Sequence, residues 1–320
     1  MQYYDFSNQQ PILIRRKRKK IASFFLLGVV FIIVAVALVT FHQNPSSQQQ
    51  TLSVRTAVPT LEPTVILKNT SGLQRVVQSA LQEATGTYSV VIKNLKTNES
   101  YTYNEHVPFM SGSLYKLWVM AATFEQIRAG DLTEDQVLTD TVADLNERFD
   151  IASDSAELQE GTVTFTTMQA LEQMITISHN YAALLLSEKI KVATIDHFLH
   201  LHGFNESRIG QPPQTTAYDI ALFLEELYKG QLANKEDTQT MLTLLKRQKL
   251  NGKLPKYLPE DVSVAHKTGE LDMVSHDAGI VYTDKGDYVI VVLTESTFPQ
   301  GANERIAAIS KGVYYYFEDK

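Results

Sequence analysis

Pro108-Phe109-Met110-Ser111-Gly112-Ser113-Leu114-Tyr115-Lys116-Leu117-Trp118-Val119-Met120 is the stretch around which the rest of the chain is organised. Small residues come first, then a serine, then an apolar run with helical spacing. A serine in the first turn of a helix has an outward, unpaired backbone N–H, and the helix dipole there favours negative charge. Lys116, three residues on, lies one turn above it on the same face. An amine held there, partly desolvated, loses its proton near neutral pH and can take the one on the hydroxyl. Taken alone, Ser-x-x-Lys reads first as an ordinary helix start. Its weight depends on partners elsewhere in the chain.

Upstream, Arg15-Arg16-Lys17-Arg18-Lys19-Lys20 is followed directly by the almost wholly apolar run 21–41. At 1.5 Å per helical residue that run crosses a hydrocarbon core of about 30 Å. The basic block on its N-terminal side orients residues 1–20 to the cytoplasm and the rest of the chain outside. The run is longer than a signal-peptide core, and Val39-Thr40-Phe41-His42 lacks an Ala-x-Ala site, so a retained single-pass anchor is the reading preferred to a cleaved signal. Residues 42–68 turn to Gln, Ser, Thr and Pro, a tether without the means to build a core. The expected organisation is a basic tail over 1–20, an anchor over 21–41, a linker over 42–68 and a folded domain over 69–320.

Composition narrows the function classes. The 320 residues are 44% hydrophobic and 20% charged, as in a globular protein. Net charge is −7, and beyond residue 20 the chain carries 23 basic and 35 acidic side chains, a net of −12. Such a bulk argues against a nucleic-acid partner. The absence of cysteine excludes disulfides, thiolate metal sites and thiol nucleophiles. His197, His200 and His202 crowd together, but their spacing suits an exposed helix end and no carboxylate motif completes a metal site. No cofactor is implied.

Within the folded part, periodicity predicts an amphipathic helix over 71–84 and a hairpin of strands 87–93 and 99–103. The Ser113 helix should run to about Arg128 and stop at Gly130. Residues 131–250 read as mostly helical, with helices over 166–177, 181–190, 217–228 and 237–247; Asp150 to Gly161 is acidic and irregular. Strands return at 262–265, 276–282 and 288–294, and a last helix covers 302–317. Strands at both ends with helices between predict an α/β (α+β) sandwich: an antiparallel sheet backed by the terminal helices, with an all-α region inserted.

Two polar clusters punctuate this pattern. Ser178-His179-Asn180 separates two apolar helical runs; Ser178 could pass a proton to a leaving group and the Asn180 amide could bind a substrate amide. Taken alone, the trio reads first as a cap of the second helix. His266-Lys267-Thr268-Gly269 closes the strand 262–265, where a cation and a hydroxyl suit a substrate carboxylate and the glycine admits a ligand close to the backbone.

Ser-x-x-Lys, then a Ser-x-Asn trio, then Lys-Thr-Gly, each on this kind of element and in this order, resembles the class A β-lactamases and penicillin-binding proteins, over roughly residues 70–320. Thr215-Thr216-Ala217-Tyr218-Asp219 is similar to that family's Thr-Thr-Pro-x-Asp helix start, and 276–282 to its next strand. The resemblance implies Ser113 as the nucleophile, attacking a β-lactam or D-Ala-D-Ala-like carbonyl, with Lys116 as its base. It implies Ser178 as proton donor to the leaving nitrogen, assisted by Lys267, and Asn180 and Thr268 as contacts for the acyl side-chain amide and the carboxylate. The backbone N–H groups of Ser113 and Glu270 would form the oxyanion hole.

Three departures accompany it. His179 stands where the family usually has Asp, with a local packing role. Ser275 or His276 stands near where many class A enzymes place a carboxylate-binding Arg. Most consequentially, residues 201–215 hold no Glu-x-x-Leu-Asn segment, whose glutamate orients the hydrolytic water in class A enzymes; Glu206 lies too early. The expectation is therefore a membrane-anchored, extracytoplasmic bacterial serine hydrolase of the β-lactamase type, acylated readily and deacylated poorly. Its partners would be a β-lactam or peptidoglycan stem peptide and the membrane. A D-alanyl-D-alanine carboxypeptidase and a non-turnover sensor are the alternatives.

Overall fold

The computed structural model describes residues 71–320, so the anchor expected over 21–41 and the tether over 42–68 lie outside the described residues. Among the described residues no helix is long and apolar enough to cross a membrane.

Tyr288-Val289-Ile290-Val291-Val292-Leu293-Thr294-Glu295 is too apolar to show a polar face, which is the mark of a strand buried on both sides. It sits at the centre of a five-stranded antiparallel sheet in the order β2-β1-β9-β8-β7. The strands are β1 (Thr87–Asn94), β2 (Ser100–Tyr103), β7 (Val264–Leu271), β8 (Val274–Val281) and β9 (Tyr288–Glu295). Alternation divides the central strand between two cores. Ile290 and Val292 join Leu73, Val77, Ile306, Ile309 and Val313 from the first and last helices, α1 (Ser71–Ala80) and α9 (Pro299–Glu318). Val289, Val291 and Leu293 join the other core, with Leu117, Trp118 and Phe223.

That second core is built by the segment inserted between β2 and β7. In chain order it holds β3 (Phe109–Met110), a 3₁₀ turn (Gly112–Tyr115), α2 (Lys116–Ala129), β4 (Val137–Thr141), α3 (Val142–Arg148), β5 (Thr162–Thr166), α4 (Thr167–Thr176), α5 (Asn180–Ile190), α6 (Val192–Leu201), β6 (Gln214–Thr215), α7 (Ala217–Tyr228) and α8 (Lys235–Lys246). The α/β architecture of a sheet backed by terminal helices, with a helical insertion, is the one expected. The insertion is less purely helical than its composition suggests. β4 pairs with β5, and β3 with β6, as two small antiparallel ladders. Two-residue strands and a Thr-rich ribbon carry too little hydrophobic alternation to be legible.

Three local expectations are corrected. The first helix ends at Ala80 rather than Ala84, because Glu83 takes a left-handed φ of 60°. Ser113 lies in the 3₁₀ turn, with the α-helix starting only at Lys116; side chains at i and i+3 eclipse in such a turn, which keeps Lys116 above Ser113. His266-Lys267-Thr268-Gly269 lies inside β7 rather than after it. All eight residues of β7 pair with β8, from Val264↔Val281 to Leu271↔Val274, and that ladder carries the strand through its polar residues.

Candidate active site

Gly112 decides how close the serine turn comes to the sheet. Its φ is +49°, and a Cβ there would stand 2.8 Å from the Glu270 backbone nitrogen. On β7, a Cβ on Gly269 would meet the Ser111 carbonyl oxygen at 2.8 Å. Two residues without side chains therefore bring the Ser113 peptide against the edge strand beside Glu270. His276, fully buried, fixes the approach from below. Its Nε2–H donates to the Met110 carbonyl at 2.8 Å and its Nδ1 accepts from the Thr294 N–H at 3.0 Å. Burial lowers its pKa to about 4, so this tautomer persists at neutral pH. Ser275 is buried too, its hydroxyl donating to Asn303 Oδ1 at 2.5 Å. Neither residue offers a carboxylate contact.

Ser178, Lys116 and Lys267 meet across this seam. Ser178 has a left-handed φ of 61°, a conformation costing a non-glycine residue about 1–3 kcal/mol. Lys267 Nζ donates to Ser178 Oγ at 2.9 Å and to the Thr268 carbonyl at 2.8 Å. Lys116 Nζ lies 2.6 Å from the Ser178 carbonyl, 2.5 Å from Asn180 Oδ1 and 3.2 Å from Ser178 Oγ. Three acceptors suit the three N–H groups of an ammonium. Both lysines are fully buried. Burial lowers the Lys116 pKa to about 7, with the Glu157 carboxylate pulling the other way. Lys267 is pushed well below the usual lysine range by burial and then by Lys116. Both amines reach the Ser178 hydroxyl, and two buried ammonium groups around one hydroxyl would repel, so loss of a proton from one of them relieves the repulsion. Among the described residues no hydrogen bond ties the Ser113 hydroxyl, which is half-buried at the mouth.

The structure thus gathers Ser113, Lys116, Ser178, Asn180, Lys267, Thr268 and Glu270 at one seam between the sheet edge and the inserted region. The cap of α5 differs from expectation. His179, not Ser178 or Asn180, accepts from the Ala182 N–H, through Nδ1 at 3.2 Å. This leaves both neighbours free to face the seam.

Two further residues belong to it that the sequence did not single out. Lys253, buried in the loop before β7, donates to the His276 carbonyl at 3.0 Å and pairs with Glu270 at 2.8 Å. Partial burial pushes the Glu270 carboxyl up, and the Lys253 ammonium outweighs it, so the group sits below the usual carboxylate range. Glu157, from the acidic stretch between α3 and β5, accepts from Asn180 Nδ2 at 2.5 Å. Glu157 and Asn180 line a pocket of about 150 Å³ with Tyr115, Ile151 and Leu184 in its other walls. Lys253 directly follows the Asn251-Gly252 pair in a loop, and Glu157 lies in an irregular stretch, so neither carried a local signal. A larger hollow of about 320 Å³, between Leu81 and Asn104, is remote from these groups.

Glu206 is elsewhere. Its carboxylate accepts from His106 Nδ1 at 2.8 Å and from Thr216 Oγ1 at 2.8 Å, while its N–H donates to Asp219. Thr216 in turn caps α7.

A sheet edge of this topology, covered by a helical insertion with a hydroxyl–amine cluster at the seam, is the fold of the β-lactamase and penicillin-binding serine hydrolases. The chain matches the Beta-lactamase enzyme family over residues 72–317 and belongs to it. Among solved structures it is similar to a β-lactamase from Sphaerobacter thermophilus DSM 20745, at 23% identity and a TM-score of 0.69, over 79% of this chain and 98% of that one. It is also similar to PBP-A, at 24% identity and a TM-score of 0.70, over 79% and 97%. An acyl-enzyme complex of a PBP-A mutant with penicillin G matches at 24% and 0.70. At these identities the likeness is one of fold. No curated protein sequence matches the chain.

Proposed function

We propose that this chain is a membrane-anchored serine hydrolase of the β-lactamase type, with its folded domain outside the cytoplasm of a bacterial cell. In this reading Ser113 Oγ attacks the carbonyl of a β-lactam or a D-Ala-D-Ala-like amide as its proton passes to Lys116 Nζ. An Oγ–C bond forms and the amide C–N bond breaks. Ser178 gives its proton to the departing nitrogen and regains one from Lys116, 3.2 Å away, so the serine proton ends on the leaving group. Lys267 donates to Ser178 Oγ throughout, favouring the transient alkoxide. The substrate carboxylate would meet Thr268 and the Lys267 charge, and the acyl side-chain amide would meet Asn180.

The observation that carries the reading is the Lys116–Ser178–Lys267 chain beside a serine turn pressed onto the sheet edge. The anchor and its orientation rest on the basic block and the apolar run 21–41. Release of the acyl group should be slow, because Glu206 is committed to His106 and Thr216. The same observation favours a D-alanyl-D-alanine carboxypeptidase as the second reading.

The test is to mix the full-length chain, in detergent, with a chromogenic cephalosporin and to follow colour and intact mass together. A burst of one equivalent with a lasting mass increase at Ser113 is expected. Sustained rapid turnover would overturn slow release, and no adduct at all would overturn the acyl-transfer reading in favour of a binding module.

A further inference from the structure

The loop between α3 and β5 does not hang free at Glu157. The next residue, Leu158, is clamped by the Tyr181 hydroxyl, which accepts from the Leu158 N–H at 3.2 Å and lies 3.0 Å from its carbonyl. Asn146 Nδ2 donates to the same carbonyl at 3.1 Å. Tyr181 is buried and adjoins Asn180, so the clamp is anchored beside the amide. The result is a continuous line of polar atoms. Glu157 Oε1 accepts from Asn180 Nδ2 at 2.5 Å, and Asn180 Oδ1 accepts from Lys116 Nζ at 2.5 Å.

We infer that Glu157 is a positioning residue for acyl transfer: through Asn180 it orients the amide oxygen towards Lys116 and sets how tightly that amine holds its proton. A carboxylate at one end of an amide strengthens the acceptor at the other, since charge-assisted bonds polarise their neighbours. Across that one amide its charge also acts on the buried Lys116 amine, raising its proton affinity against the effect of burial. The groups facing Lys116 are Tyr115 on the serine turn, His179 beside Asn180, Lys267 with Glu270 on β7, and Glu157. Tyr115 is held neutral by burial and then by Glu157. His179 is lowered by burial, with Glu157 opposing. Of these groups it is Glu157 whose charge raises the proton affinity of Lys116, against the larger effect of burial. Without it the amine would be neutral over a wider range but poorly directed.

The inference rests on Lys116 serving as the base, and its test separates the two ideas. The titration of Lys116 is read directly by NMR of the full chain with ¹³C-labelled lysine, and the pH profile of penicillin acylation is read alongside. Glu157→Gln keeps an acceptor for Asn180 but removes the charge. It should lower the Lys116 midpoint by about one pH unit and move the acidic limb of acylation with it. Glu157→Ala should shift it likewise and slow acylation about tenfold on the plateau, because Asn180 is then free to turn. Glu157→Asp should restore part of the shift, and Glu160→Gln, on the same loop, should leave both profiles in place. An unmoved Lys116 midpoint in Glu157→Gln overturns the inference. A moved midpoint with no acylation even by the unmodified chain would keep the coupling of Glu157 to Lys116 and overturn the acyl-transfer reading.

Discussion

Two exposed loops each carry a glutamate, and they do different things with it. The segment between α3 and β5 is irregular, acidic and exposed, yet it lays Glu157 on Asn180, one amide away from a buried lysine. The segment between α6 and β6 lies where the resemblance leads one to look for a carboxylate, yet Glu206 is spent on His106 and on the Thr216 cap of α7. A carboxylate acquires a catalytic environment from what surrounds it in space. Glu157 reaches a fully buried amine through the Asn180 amide. Glu206 meets hydroxyl and imidazole groups near the surface, where its contribution is structural.

The contrast means something only if the chemistry is at Ser113. Ser113→Ala should abolish the penicilloyl mass increase altogether, and labelling that survived it would remove the centre both loops are compared against. Replacing Lys116 by Ala should slow acylation by about 10²–10⁴-fold, the usual span for a general base. In the unmodified chain acylation should rise with pH to a plateau above about 7, because only the unprotonated Lys116 amine can accept the serine proton. A profile flat from pH 5 to 8 would take Lys116 out of the reaction.

Gly112→Ala tests the seam that both loops border. A methyl 2.8 Å from the Glu270 nitrogen, at a positive φ, should cost about 1–3 kcal/mol of stability. By displacing one expected oxyanion donor it should also slow acylation by about 10²–10³-fold. The smallest effect sharpens the comparison most. Glu206→Ala should leave the acylation rate within about twofold, while thermal unfolding detects a loss of about 1 kcal/mol from the Thr216 bond. A large acylation defect in that variant would place the second loop in the chemistry after all.

Much of the architecture was legible because apolar periodicity is local. The β-rich composition and length of 87–93 and 288–294 marked strands, and the 217–228 helix was read to the residue. The three polar clusters were legible as well, since each interrupts an apolar pattern at an element boundary or within a strand. Their finer placement was less so. Ser113 sits in a 3₁₀ turn rather than an α-helix, and Lys267 lies mid-strand, because only pairing with β8 decides where β7 begins and ends. Lys253 and Glu157 were not legible at all. One lies in a loop and the other in an acidic tract, and each gains meaning from a partner far along the chain.

The sequence by itself determined the secondary elements, the sheet buried on two faces and the residue types able to transfer an acyl group, since these follow from spacing and side-chain chemistry. Only the tertiary structure decided which of two glutamates shares a network with Lys116, that His179 caps α5 while its neighbours face the seam, and that Gly112 and Gly269 let two backbones touch. The physical reason is range. Periodicity acts over a few residues, whereas desolvation and charge pairing act between groups that meet only after the inserted region has packed against the sheet.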